Sequence, residues 1–406
     1  MMKKVWSLLI MLIVVLAPLS HMPANAEAVE ADTEPEQQLK MQEPISFPDF
    51  SYNSTIEYLG TANGLLYFKV PYSGKSPRNE KKQMLLEYIV TINAKTNTIQ
   101  WKLPIYGGFN YSDRTFFDEA GNLYCVIGAG LKQPSNETFL YSVSPKGVMK
   151  WQTLFPDFVD KISMINNKII VTYRDEITAV NPDGKVAWKK SFKSRDAQKY
   201  SYWICEVASN EILTTKSEFY SAKSVSFDVF DQNLKKKFSF PLNSTSTVEQ
   251  ALKFNNDVYI LKIKISKSTK QLVAVGANGK AKWTKKIDPT TATIYIVDGK
   301  LMFANNTGFY VLNGKGEQLN HTPLAPLSNS SLGYKVRLDD RYISILPDYM
   351  PEGKTALTVL DRKSYKTLYS FASPFTGGEQ PVYYDELFIA NDNLYMVYFN
   401  KLFPLK

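Results

Sequence analysis

The sequence predicts an all-β protein, an eight-bladed β-propeller of four-stranded antiparallel blades closed by an N-terminal strand. Three observations predict it. From residue 45 onwards the chain is short strands rich in Val, Ile, Tyr, Phe and Thr. Two families of tight turns recur and interleave, and the last unit stops one strand short. No stretch carries the apolar periodicity of an amphipathic helix.

Residues 1–26 stand apart. Lys3 and Lys4 precede an apolar run from Val5 to Leu19, and Ala24-Asn25-Ala26 supplies a small-residue cleavage site. This is the pattern of a Sec-type signal peptide. The run is short for a spanning helix and contains Pro18, so cleavage is expected in place of retention as an anchor. No Cys follows the run, which argues against a lipid anchor, and no later stretch is long enough to cross a membrane as a helix. The expected product is secreted or cell-wall associated. Residues 27–44 are polar and acidic without periodicity, a flexible leader. The propeller domain takes residues 45–406.

The first turn family is a hairpin of which 177–192 (ITAVNPDGKVAWKKSF) is the type: an apolar strand, the turn Asn181-Pro182-Asp183-Gly184, and a second strand carrying Trp188. Pro sets φ at the turn and Gly accepts a positive φ. Aligned on the turn, Trp101, Trp151, Trp188, Phe238, Trp283, Asn320 and Leu368 fall at equivalent positions, on average about 44 residues apart. The second family is tighter and precedes the most apolar strands: Asn63-Gly64, Gly121-Asn122, Asn167-Lys168, Asn210-Glu211, Asn256-Asp257, Gly299-Lys300, Asp340-Arg341 and Asp392-Asn393. Each period thus holds strand A, a short turn, strand B, a variable loop, strand C, a tight turn and strand D. Four strands per such period is blade spacing, because one sheet cannot bury both its faces alone and radial stacking buries each against the next. The tryptophans are therefore expected as wedges between blades.

Eight B strands accompany only seven complete C–D hairpins. The last unit supplies A (ELFIAN), B (LYMVYF) and C (KLFPL). Its outer strand is expected from residues 45–52 (ISFPDFSY), and seven blades remain the alternative if one poor unit has merged.

Charge and composition narrow the chemistry. Removing Lys3, Lys4 and Lys40 from the 48 basic residues, and the six acids of 27–44 from the 39 acidic ones, leaves an excess of twelve positive charges on the domain. An exported basic protein would be drawn to an anionic wall polymer or acidic polysaccharide. Nucleic acid is a poor partner for an exported chain. Dispersed lysines that merely keep an all-β surface soluble are the plainer explanation. Cys125 and Cys205 lie in apolar strands of non-neighbouring units and are expected as buried free thiols. Beyond the signal only His321 remains, beside an aromatic repeat position, which excludes a multi-His metal site and suggests a structural role.

The hairpins NAKTNTIQW, NPDGKVAW and ANGKAKW, and more weakly DRKSYKTL, resemble the tryptophan-docking repeat of PQQ-binding-like, quinoprotein-type propellers. The resemblance spans nearly all of 45–406 and implies an eight-bladed ring. Relatives include quinone-dependent dehydrogenases with calcium and a non-enzymatic scaffold subunit of the outer-membrane barrel-insertion machinery. Against the enzyme reading, the two cysteines are 80 positions apart where such dehydrogenases pair adjacent ones. Asp183, Asp298, Asp340 and Asp392 are turn residues. No cofactor and no metal are expected.

In a propeller the B–C and D–A loops share one face around the channel mouth, where a rigid frame displays variable loops. The D–A loops are expected to present Tyr106, Phe109, Tyr111, Tyr200, Tyr202, Phe375 and Tyr383, and the B–C loops Lys81, Lys82 and Tyr349, with Trp203 and Tyr384 in the core. Aromatics among cations suit a peptide, a partner protein or a sugar chain. Asp113, Asp118 and Glu119, the acids nearest the first aromatic loop, form no recognisable catalytic pair. The sequence thus points to a secreted, non-catalytic scaffold, expected as a monomer, for an envelope protein or anionic wall polymer. A polysaccharide-binding or polysaccharide-degrading propeller is the alternative.

Overall fold

Two-residue turns between strands A and B set the register of the first, third and sixth blades. Asn63 and Gly64, Asn166 and Asn167, and Asp298 and Gly299 all have positive φ, the type I′ geometry whose twist matches that of the flanking strands. In the third and sixth blades the turn residues therefore sit one position earlier than the sequence spacing suggested. The computed structural model describes residues 43–47, 56–72, 86–106, 108–109, 115–128, 137–173, 175–192, 200–208, 210–218, 224–243, 245–324, 333–339, 341–347, 355–372, 386–390, 393–398 and 401–405. They fall in one compact unit, Gln38–Lys406.

The described strands form eight antiparallel sheets, one per blade, in an eight-bladed β-propeller. The first is Glu57–Ala62, Leu65–Tyr72, Leu86–Asn93 and Thr98–Tyr106, paired in sequence order. Six more follow the same order; in the second blade the inner position is shared by Gly108–Phe109 and Thr115–Phe117, both on Leu123–Gly128. Neighbouring blades approach each other at their first strands, which places these innermost. Strands B and C carry the core: Ile169, Val171, Ile177 and Val180 of the third blade are fully buried, while its outer strand Val186–Ser191 is largely exposed.

The eighth blade closes the ring. Glu386–Ala390, Asn393–Tyr398 and Lys401–Leu405 are its strands A to C, and its outer strand is Ile45–Ser46, paired as Ile45 with Leu402 and Ser46 with Lys401. The ladder covers two of the eight residues expected to close the ring; Phe47 is buried at 2% exposure and 48–52 lie outside the described residues. An aromatic block secures the seam. Tyr58 stacks on Phe388 at 3.7 Å, Phe47 meets Phe68 edge-on at 5.2 Å, and Tyr395 donates from its hydroxyl to the Ala94 carbonyl.

In the first seven blades strand D carries a bulge immediately before its wedge residue, which turns that side chain onto the next blade. Trp101, Trp151, Trp188, Phe238, Trp283 and Asn320 pair with Thr91, Ser142, Ala179, Val229, Ala274 and Val311, each beside a skipped residue. In the seventh blade the equivalent position is Tyr369, paired with Val359, and Leu368 is the bulged residue. The wedge falls one residue beyond the Leu368 expected from sequence because the Asp361 turn is one residue longer than that of the third blade. Tyr365 takes the positive φ and its N–H reaches the Asp361 carbonyl, where shorter turns use Gly147, Gly184, Gly279 or Gly316.

The wedges dock on the following blade's C–D turn. The Trp101 Nε1–H donates to the Pro145 carbonyl at 2.9 Å, Trp151 to Pro182 at 2.8 Å and Trp283 to Gly314 at 2.9 Å. The rings lie over the turn glycines, so closely that a Cβ on Gly184 would stand 2.7 Å from Trp151. At the Trp188 join the turn carries Leu234, a non-glycine at φ 62°, and both residues pack against the same buried cluster. Where the wedge lacks an indole, polar contacts bridge the blades. At the Phe238 join, Glu211 is 2% exposed, pairs with Lys237 and with Lys253 at 3.0 Å, and accepts from the Tyr259 hydroxyl at 2.8 Å. At the Asn320 join, Arg362 pairs with Asp298 at 2.8 Å and Lys300 bonds the Tyr365 hydroxyl.

Candidate functional site

The inner wall of the fourth blade, Tyr200–Val207, is where the structure exposes chemistry that the fold leaves unused. Up to a bulge at Cys205 its residues alternate between the two neighbouring interfaces, as a regular strand must. Tyr202 faces the third blade, packing against Phe192 at 5.7 Å and Phe230 at 6.0 Å, and Ile204 is buried in the same cluster. Tyr200 holds the Lys216 ammonium over its ring at 3.9 Å, a cation–π contact. Trp203 faces the other way and is 55% exposed, a correction to its expected place in the core. Strand-period alternation explains this, because the apolar string YWI includes a residue of each face.

Around this aromatic stretch, charged groups clasp the inner strands together. Glu206 accepts the backbone N–H of Lys253 at 2.7 Å; burial pushes its carboxyl above the usual value against the pull of Lys253 and Lys161. Gln250 reaches the next blade with both amide atoms, donating to the Ile294 carbonyl at 2.8 Å and accepting its N–H at 2.9 Å. Glu249 pairs with Lys270 at 3.0 Å and Lys262 at 3.3 Å, and Lys262 also donates to the Ala292 carbonyl. Burial lowers the Lys262 pKa, with the nearby Glu249 acting the other way. The carboxylates of this wall are all held in place by neighbouring strands, while Trp203 projects from it.

Of the residues chosen from sequence, Tyr200 and Tyr202 lie on the inner strand and not on the preceding loop; Tyr202 is committed to packing. Tyr106 ends the outer strand of the first blade, opposite Leu86, and Phe109 lies in the two-residue inner strand of the second, so neither stands on a free loop. Tyr111, Tyr349, Phe375, Tyr383, Lys81 and Lys82, with Tyr384, lie outside the described residues. Sequence reasoning missed Lys216 as the partner of Tyr200; their opposition across strands A and B could be found only with the register in hand, which pairs Tyr202 with Lys216 and sets Tyr200 diagonally beside it.

Other polar groups have structural work. Asp118 accepts the Asn122 N–H at 2.8 Å and the Tyr124 hydroxyl at 3.0 Å, fixing its own turn. His321 stacks on Tyr310 at 4.5 Å, the structural place expected for it. Cys125 is a buried free thiol as expected; Cys205 is free but only half-buried, and desolvation pushes its pKa up to about 12. Among the described residues no three His, Cys, Asp or Glu side chains gather as a metal site, and no helix is long and apolar enough to cross a membrane.

Neither the comparison with protein families nor that with curated proteins gives a match. Among solved structures the chain is similar to BamB from Moraxella catarrhalis, at 10% identity over 91% of this chain and 97% of that one, with a TM-score of 0.48. It is similar to the Pan2 WD40 domain of Neurospora crassa at 10% identity over 72% and 88%, TM-score 0.45. A protein of unknown function from Bacteroides caccae follows at 14% identity over 74% and 92%, TM-score 0.35.

Proposed function

We propose that the protein is an exported, non-catalytic scaffold of the cell envelope that binds a protein partner at the inner wall of its fourth blade. The observation that carries this reading is the exposed indole of Trp203. Trp101, Trp151, Trp188 and Trp283 serve as half-buried wedges between blades, whereas Trp203 exposes 55% of its surface on the innermost strand. A rigid aromatic with a polar edge is an economical contact residue, because it brings a large apolar area with few rotamers to freeze. Tyr200 and its Lys216 add a cation–π pair for charge-assisted contacts. The signal-like 1–26 segment supports export of the domain.

An exposed indole also suits stacking on a sugar ring, so a polysaccharide ligand is the second reading. Crosslinking and co-purification of the tagged protein from the envelope fraction test the first. A defined partner protein should be recovered with wild type and lost with Trp203→Ala, while Trp188→Phe, a wedge change, retains it. Retention on a neutral or acidic glycan that Trp203→Ala abolishes, with no partner protein recovered, replaces the scaffold reading with the second. New reducing ends or unsaturated products from that glycan would overturn the non-catalytic assignment.

A further inference from the structure

The outer hairpins of the third, fourth and fifth blades concentrate positive charge, only part of which is taken up by ion pairs and contacts between strands. Residues 181–191, 231–241 and 276–287 contain ten lysines against two acids, Asp183 and Asp231. The corresponding hairpin of the sixth blade, 313–322, has Lys315 balanced by Glu317. Some of the ten are neutralised from behind: Lys189 pairs with Glu176, Lys236 with Asp228 and Lys237 with Glu211. A row of exposed lysines remains at one repeat position, the fifth residue of the C–D turn: Lys185, Lys235 and Lys280. Asp183 lies 3.6 Å from Lys185 in a pair exposed on both sides, which water screens.

The row is continuous because each turn is touched by the preceding outer strand. Trp188 and Leu234 pack against one shared cluster, Lys190 donates to the Gln232 carbonyl, and the Phe238 ring lies over Gly279, where a Cβ would stand 3.3 Å from it. Adjacent sheets pack about 10 Å apart, so three successive turns span about 20 Å or more at the rim. A single small anion meets only one lysine of such a row. An extended chain of regularly spaced anionic groups meets all of them and releases its condensed counterions.

We infer that this rim, on the C–D turn side of blades three to five, is a track for a linear polyanion with a phosphodiester- or phosphate-type backbone. It is a surface separate from the Trp203 wall and can fail or stand without it. The probe is long-chain inorganic polyphosphate, with orthophosphate as the monomeric control. Binding is expected for the polymer, steeply weakened by salt, and far weaker for orthophosphate. The triple variant Lys185→Glu, Lys235→Glu, Lys280→Glu should weaken binding at least about tenfold and lower the log–log salt slope by about 2 to 3, near one per lost contact. A control of equal charge change, Lys315→Glu, Lys363→Glu, Lys366→Glu, uses exposed residues of the next two turns and should weaken it less than about twofold, beyond the small effect of net charge. Glu317 already occupies the tested turn position in blade six, so glutamate is compatible with that turn; if melting nonetheless shifts, the Lys→Gln set carries the same comparison. Equal losses in both triples, no loss in the first, or binding only to phosphatidylglycerol vesicles and not to polyphosphate would overturn the track.

Discussion

The join between blades two and three and the join between blades four and five solve one problem by different physics. At the first, Trp151 lays its indole over Gly184 and donates to the Pro182 carbonyl, with Thr153 donating to the Gly184 carbonyl at 2.8 Å. That contact is neutral, local and made at the half-exposed outer rim. At the second, Phe238 has the ring but no donor, and the polar link moves inward to Glu211, gripped by Lys237, Lys253 and Tyr259. A buried ion cluster is costly to desolvate and costlier still to break, since removing one partner strands the others. The wedge join should therefore fail gradually under mutation and the ionic join abruptly.

The sharpest way to break this contrast is Glu211→Gln. It should cost about 3 kcal/mol in chemical denaturation, because Lys253 keeps its charge at 14% exposure with its counter-ion gone. A cost near that of a surface change would mean that the ion cluster is idle. The same variant gives the pH test. Burial opposes charge on Glu211, but Lys237, Lys253 and Tyr259 outweigh it and hold its pKa below the usual 4.5. A depressed carboxylate stabilises fully above its unfolded value and loses that contribution as pH falls through the folded one. The stability gap between wild type and Glu211→Gln should thus be constant above pH 4.5 and shrink below it.

Gly184→Ala probes the wedge join from the turn side. The left-handed φ of 87° disfavours alanine, and its Cβ must displace the Trp151 ring, so a loss of about 2 kcal/mol is expected. Gly64→Ala separates the two causes: φ is 73° but the space beyond is open, and about 1 kcal/mol of backbone strain should be all that is seen. Trp151→Phe removes the donor while keeping a ring, with about 1 kcal/mol expected in the same assay. Arg362→Ala, at the Asn320 join, should cost the least, about 0.5 kcal/mol, because its partner Asp298 is 65% exposed. A larger loss there would show that the polar bridge of that join matters as the Glu211 cluster does.

The contrast also explains what was legible in the sequence. Turn chemistry and the aromatic after it are local signals, so blade number, strand order and the N-terminal closing strand could be read from spacing. Leu368 was misplaced by one residue because the extra residue of the Asp361 turn leaves no local mark until the bulge fixes the register. The sequence places Trp203 in the core because apolar residues on both faces of a strand look alike in one dimension; only the neighbours decide which face is covered. The ion cluster was invisible for a similar reason: Glu211, Lys237 and Tyr259 sit in different strands, joined by contacts that span 26 and 48 positions. Much of the loop-borne aromatic set falls outside the described residues, and the site that emerged is on the inner strand.

The Trp-to-turn contact has a direction: the outer strand of one blade carries the ring, and the turn of its successor carries the glycine and the carbonyl. Every such blade is thus a plug on one side and a socket on the other, and a blade holding both halves can be copied in tandem and still fit its twin. The second blade has both, with Trp151 and the Gly147 turn that receives Trp101. The sixth has a socket for Trp283 but Asn320 for a plug, and the eighth, whose outer strand arrives from the opposite end of the domain, has no C–D turn to offer Tyr369, which stands 43% exposed. The early blades are thus interchangeable at their joins, while the sixth and eighth are each fitted to one neighbour.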